Sequence, residues 1–267
     1  MTGTLTLKAG AQPHPTQEMK ILLVADLHYT LKQWDWLCEA ASHFEIVVVA
    51  GDLLELASIV PREAQAVVVQ KYLAKLAPGE RLVLVSGNHD LLTESDGHEQ
   101  AAEWLREVSP PGAWIDGDHG DHGPLFFSVL PWWEGESLRG KIEDQLRRDA
   151  DLVGDRRWVW IYHPPPHDTA VSRERGRDHG DPYLNKWIDR FQPFMVMGGH
   201  VHGAPFDKDG AWIDQVGSTW VLNAGRQIGP VPTCIAIDLE NEMATWASLA
   251  GAERAVLRPP LAVEELG

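Results

Sequence analysis

The sequence predicts an α/β fold on three observations. Apolar, β-branched runs of strand length alternate with segments whose apolar residues recur at helical spacing. Five of those runs end in Asp, Asn or His. The order strand, helix, strand, helix, strand over residues 21–85 favours parallel pairing with right-handed crossovers.

Taken in order, residues 1–19 are polar, carry Gly and Pro, and read as a flexible leader. The first strand, 21–25, is followed by a helix over 31–44 with Leu31, Trp34, Leu37, Cys38 and Ala41 in register. A strand over 46–50 leads to a helix over 61–76, where Pro61 is tolerated in the first turn and Ala64, Val67, Val68, Tyr72 and Leu76 form a stripe. Pro78 and Gly79 stop it, and the run 83–85 is the third strand. A further helix is expected over 97–108. Residues 114–115 and 125–130, around a turn rich in Asp, Gly and His, suggest a hairpin edge. Charges alternate at helical spacing over 137–152, as on a solvated helix. A buried strand follows over 158–162, then a long loop over 164–182, a short helix over 183–191 and a strand over 194–197. The segments 212–213, 219–222, 233–239 and 243–249 read as antiparallel β structure. Residues 252–267 lack periodicity and read as a C-terminal tail, leaving 20–251 as a single domain.

The 267 residues are enough for a substantial core. The net charge of −16 argues against a general grip on nucleic acid or an anionic membrane, either of which needs a basic face. Most of the 12 Trp are assigned to core or groove packing. Cys38 and Cys234 do not have metal-binding spacing and read as reduced, buried thiols. No run reaches membrane-spanning length and no signal-peptide core is seen, so a cytoplasmic protein is expected.

The chemistry gathers at the strand ends. Asp26 and His28 follow the first strand, Gly51 and Asp52 the second, and Gly87, Asn88, His89 and Asp90 the third. His163 follows the run ending at Tyr162, and Gly198, Gly199, His200 and His202 the run ending at Met197. Singly these are ordinary turn residues. Together they are O and N donors of the kind a site for hard or borderline divalent cations needs. The pairs Asp26/His28 and His200/His202 are spaced i, i+2, which on an extended chain puts both side chains on one side. Gly198 and Gly199 let backbone pass close to such ions.

In order and spacing, Asp26-Leu27-His28, Gly51-Asp52, Gly87-Asn88-His89-Asp90, His163 and Gly199-His200-Val201-His202 resemble the five motifs of the calcineurin-like metallophosphoesterases, over roughly residues 21 to 226. The resemblance implies a four-layer αββα sandwich, with two central mixed sheets flanked by helices and a dinuclear metal centre at the strand ends. Carried over residue by residue, it assigns Asp26, His28 and His202 to one metal, Asn88, His163 and His200 to the other, and Asp52 to the bridge. His89 becomes the residue that stabilises the transition state or protonates the leaving oxygen, and Asp90 a candidate to orient its ring. The implied reaction is hydrolysis of a small phosphoester by a metal-activated hydroxide.

Departures narrow the subclass. Leu53-Leu54-Glu55 follows Gly51-Asp52 where protein phosphatases of the family have Val-Asp-Arg-Gly, and Glu55 stands where purple acid phosphatases place a tyrosine ligand. A protein phosphatase and a tyrosinate–iron centre are therefore disfavoured. Two divalent ions are expected, with Mn2+ preferred and Fe, Zn or Ni as alternatives. Tyr162-His163-Pro164-Pro165 resembles the His-His-Pro-Pro of bacterial cyclic-nucleotide phosphodiesterases, with Tyr in the first place. The favoured substrate is a nucleotide-like or other small phosphodiester. A nuclease or a small-molecule phosphomonoesterase is the alternative, and a non-catalytic metal-binding scaffold the alternative of another class. Arg226 is read as a turn residue ahead of a phosphate contact. Asp116, Asp118, His119, Asp121 and His122 are read as a hairpin tip rather than a third metal site, Arg173, Arg175 and Arg177 as part of a solvated loop, and Trp132 and Trp133 as packing or base-stacking groups.

Overall fold

The computed structural model describes residues 19–76, 81–94 and 98–266. Residues 1–18 of the expected leader and the stop at Pro78 and Gly79 lie outside the described residues. Two mixed sheets form the centre. The first has seven strands in the order Val263–Leu266, Gly251–Val256, Met243–Ser248, Cys234–Asp238, Lys20–Val24, Ile46–Ala50, Arg81–Val85. Its last three strands are parallel and the others antiparallel. The second has six, in the order Ile213–Val216, Thr219–Asn223, Met195–Gly198, Arg157–Tyr162, Leu125–Leu130, His119–His122, with four parallel strands between antiparallel edges.

The period-2 alternation of side chains sorts these strands into layers. Ile21, Leu23, Ile46, Val48, Val83 and Val85 face the second sheet and pack with Leu125, Phe127, Val159, Ile161, Met195 and Met197. Their neighbours Leu22, Val24, Val47, Val49, Leu82 and Leu84 face outward onto the Leu31–Ala40 and Arg62–Leu76 helices through Trp34, Leu37, Val69 and Leu73. On the far side, Trp158, Trp160 and Tyr162 meet Ile142, Leu146, Leu184 and Ile188 of the Glu136–Leu152 and Pro182–Phe191 helices. Strands covered on both faces are apolar throughout, which is why the runs are continuous rather than alternating. The outcome is the expected helix, sheet, sheet, helix layering.

Two segments depart from expectation. The stretch read as a tail forms the strands Gly251–Val256 and Val263–Leu266 at the edge of the first sheet. The helix expected over 97–108 is confined to Trp104–Val108. Ahead of it, Thr93–Glu94 pairs with Gln100–Ala101, and the Glu99 carboxylate accepts the Ser137 and Leu138 N–H groups at 2.8 and 2.7 Å. Those N–H groups open the Glu136–Leu152 helix and have no partner within it, so Glu99 caps that helix instead of extending its own.

Candidate metal centre

Parallel strands of both sheets end at one rim, and the polar loops after them interlock. The Asp26 and His28 N–H groups donate to the Gly51 and Asp52 carbonyls (3.0 and 2.9 Å), and the Gly199 N–H donates to the His163 carbonyl (2.8 Å). Side chains from five loops thereby meet. Asp26, His28, Asp52 and His202 present ligand atoms that all lie within 4.8 Å of one another. His163 Nε2 lies 3.4 Å from Asp52 Oδ2 and His200 Nδ1 3.0 Å from Asn88 Oδ1, while the His163 and His200 rings are 5.1 Å apart. All seven residues assigned to the metals by resemblance are therefore neighbours.

The convergence does not come from extended i, i+2 geometry. Asp26, His28, Asp52 and His200 have φ of 54°, 43°, 53° and 72°, in the left-handed region. Such backbone costs about 1–3 kcal/mol per residue and persists where the surrounding structure enforces it. Here the bonds between loops do so. A side chain at Gly199 would also place its Cβ 2.4 Å from Asp26 Oδ2, so the close approach is made to the carboxylate.

The donor chemistry fits divalent cations. His163 is fully buried, and its Nδ1–H donates to the Ala50 carbonyl at 2.6 Å, which leaves Nε2, turned towards Asp52, as the nitrogen that can take up a proton or a cation. Burial holds His28 at about 4, and burial together with His163 holds His200 at about 4, so both imidazoles keep free lone pairs. For His163 burial disfavours the charge, but Asp52 and Asp26 outweigh it and raise the ring to about 9. Asp52 itself, though buried, is held well below the usual carboxylate range by His163. The proton that Asp52 and His163 stabilise between them is the one that a cation binding at His163 would displace.

His89 faces this cluster, with Nε2 at 3.9 Å from Asp52 Oδ2, while its Nδ1 accepts the Leu56 N–H at 3.3 Å. Nε2 therefore carries the hydrogen in the neutral ring. Asp90 does not touch that ring. Its fully buried carboxylate accepts the Leu54 and Gly87 N–H groups, both at 2.9 Å, and so anchors the loop after Asp52. Burial, then the charge on Asp52, raises its pKa to about 7. The group beside the ring is Glu55, with Oε1 at 3.6 Å from His89 Nδ1, and Oε2 is 3.7 Å from Arg226 Nη2. Neither residue belongs to the centre that the sequence motifs define. The signal for Glu55 is an acid three residues after Asp52.

A groove lined by Trp132, Trp133, Pro164 and His179 runs up to His200, with the Trp132 ring 5.3 Å from the His200 ring. Arg173 is engaged by Asp168 at 2.6 Å. The Asp/His hairpin is structural. Asp118 accepts the Ile115 N–H and His119 pairs with Asp149, both at 3.0 Å, and Asp116 accepts the Ser86 N–H at 2.9 Å. Burial pushes Asp116 up to about 6. An acid bound to its proton more tightly when folded loses stability as pH rises from about 4 to about 6, and the loss persists above that. Asp116→Asn keeps the acceptor and is expected to gain about 1–2 kcal/mol on the parent between pH 4 and pH 7.5. Urea unfolding of both proteins at the two pH values checks this, and a difference independent of pH rules it out.

Residues 19–204 match the family described as calcineurin-like phosphoesterase. The chain belongs to that family, and is thus a metal-dependent phosphoesterase with its His/Asp cluster in place. Among solved structures it is similar to protein TT1561 of Thermus thermophilus, at 15% identity and a TM-score of 0.55, covering 91% of this chain and 100% of that one. It is also similar to a dimetal phosphatase from Danio rerio, at 13% and 0.55, covering 86% and 95%. A yellow lupin purple acid phosphatase, PPD1, aligns at 13% and 0.52, covering 95% of this chain and 54% of that one. These likenesses are of fold. No curated protein matches by sequence. Among the described residues no helix is long and apolar enough to cross a membrane.

Proposed function

We propose that this protein is a dinuclear-metal phosphodiesterase acting on a small, nucleotide-like phosphodiester. The observation that carries the preference for a diester is electrostatic. Arg226, the guanidinium beside the cluster, is already matched by Glu55. Among the described residues, the side chains beside the cluster thus offer little further positive charge for the second negative charge of a monoester, which a diester lacks. The aromatic groove next to His200 suits a planar substituent. Extended nucleic acid is disfavoured by the acidic chain.

Asp26, His28 and His202 would hold one cation and Asn88, His163 and His200 the other, with Asp52 between them. Two divalent ions so held, Mn2+ by preference, supply Lewis acidity and lower the pKa of an attacking water. The carboxylates of Asp26 and Asp52 are kept ionised, and the imidazoles of His28 and His200 neutral, ready to bind. His89 Nε2–H donates a hydrogen bond to the oxygen on which negative charge develops. Asp90 holds the loop that carries Asp52. The free thiols of Cys38 and Cys234 suit a reducing compartment, in keeping with a cytoplasmic enzyme.

After reconstitution with Mn2+, a 4-nitrophenyl phosphodiester is expected to be cleaved faster than the matching monoester. His89→Ala is expected to slow it by about 10²–10³ with metal content unchanged. A preference for the monoester would move the assignment to a phosphomonoesterase. Absence of both activities with metal bound would favour a scaffold.

A further inference from the structure

We propose that the cleft between the Trp104–Val108 and Glu136–Leu152 helices is a binding site for a compact organic anion, a carboxylate on an apolar body of medium length. The cleft encloses about 250 Å3. That lies just under the range of sites for drug-sized ligands, about 300–1,000 Å3, so its occupant is small. Its floor is apolar. Leu105 and Ile115 belong to the packing outside the first sheet, Ile142 to the packing outside the second, and buried Leu138 stands beside them. The cleft is therefore a seam where the two outer layers meet without filling the space between them, and apolar walls in contact with water favour an apolar occupant.

Polar bonds hold the walls apart. Gln145, buried in the longer helix, donates from Nε2 to the Asp118 and Val129 carbonyls at 3.1 and 3.3 Å. From the other helix, Arg106 Nη2 donates to the Asp116 carbonyl at 2.7 Å and to Asp118 Oδ1 at 3.1 Å. Both helices are thus tied to the turn at 116–118, which fixes their separation. Charge then decides the class of ligand. Lys141 and Arg148 line the cleft from the exposed edge of the longer helix. They stand two turns apart, about 10 Å along the axis, so both long side chains can reach one carboxylate lying over Gln145 between them. Among the described residues neither forms an ion pair, whereas Arg106 in the same cleft is matched by Asp118. Of the two acids in the lining, Asp116 turns its carboxylate to the Ser86 N–H, and Glu103 stands on the opposite side, at the start of the shorter helix. In a chain of net charge −16, two cations left without acids beside an apolar floor select an anion over a neutral molecule. Trp132 lines both this cleft and the groove at His200, so the two share a wall.

The test is calorimetric titration of the full-length, Mn2+-loaded chain with octanoate, set against hexanoate, octan-1-ol and acetate. One octanoate per chain is expected, with a Kd below about 1 mM. Hexanoate, shorter by two methylenes, should bind about tenfold more weakly. Octan-1-ol, which lacks the charge, and acetate, which lacks the body, should each bind at least about tenfold more weakly. Lys141→Glu together with Arg148→Glu reverses two exposed charges and leaves the core untouched. That double variant is expected to weaken octanoate at least about tenfold while keeping the circular dichroism and the bound metal of the parent. Because it retains every residue of the metal centre, an unchanged octanoate affinity would place the ligand at the metals or in the groove at His200 and overturn the proposal. Octan-1-ol binding as tightly as octanoate would leave the cations without a role and overturn it too, as would no binding of octanoate up to about 10 mM.

Discussion

Asp52→Asn is expected to leave a folded protein that has lost at least about a thousandfold in turnover, equivalent to about 4 kcal/mol of transition-state stabilisation. Asp52 is the carboxylate on which both halves of the cluster converge. Oδ2 lies 3.4 Å from His163 Nε2, 3.5 Å from His28 Nε2 and 3.9 Å from His89 Nε2. Its other oxygen, Oδ1, accepts the His89 N–H at 2.9 Å. Asparagine preserves that last bond and the volume, so the loop keeps its path. It removes the charge that the proposed bridging role of Asp52 needs and that raises His163. Metal content by mass spectrometry, circular dichroism and the rate on the diester check the prediction together. Two retained ions with a rate within tenfold of the parent would show that Asp52 does not bridge.

The strand ends were legible because the strands that carry them are covered on both faces. Such strands are continuous apolar runs, so the Asp, Asn and His that end them stand out, and their order carried the family resemblance. What links the centre to its surroundings was less legible. Glu55 comes to stand beside the centre through a turn whose shape depends on Gln65, ten residues away in sequence, and Arg226 meets Glu55 only when the two sheets close. Asp90 adjoins His89 in sequence, yet points away into the core because two backbone N–H groups take its carboxylate. Left-handed backbone at Asp26, His28 and His200 has no local signature, since none of the three is glycine. The edge strand Gly251–Val256 escaped notice for a different reason. Of its six residues Ala255 alone is buried, so no alternating pattern marks it, and it is held by backbone pairing and by Glu253, which accepts the Trp212 Nε1–H at 2.8 Å.

Gly51→Ala should show how tightly backbone and site are joined, because it changes no functional group. Gly51 has φ of 90°, where an L residue is strained whatever the space around it. Space is also missing. A Cβ there would stand 2.3 Å from Nδ1 and 2.6 Å from Cγ of His163. That ring cannot swing aside cheaply, since it is fully buried and its Nδ1–H is tied to the carbonyl of Ala50, the residue before Gly51. Either the strand end or the imidazole must move. The expected cost is about 3–5 kcal/mol of stability, a fall in melting temperature of roughly 10 °C for a chain of this size, with His163 displaced from the cluster. Melting of the metal-free protein reads the first effect and the number of ions bound per chain the second. A near-native melting temperature with two ions bound would mean that the rim is plastic. In that case the five loops are gathered by the metals rather than by their interlocking backbone.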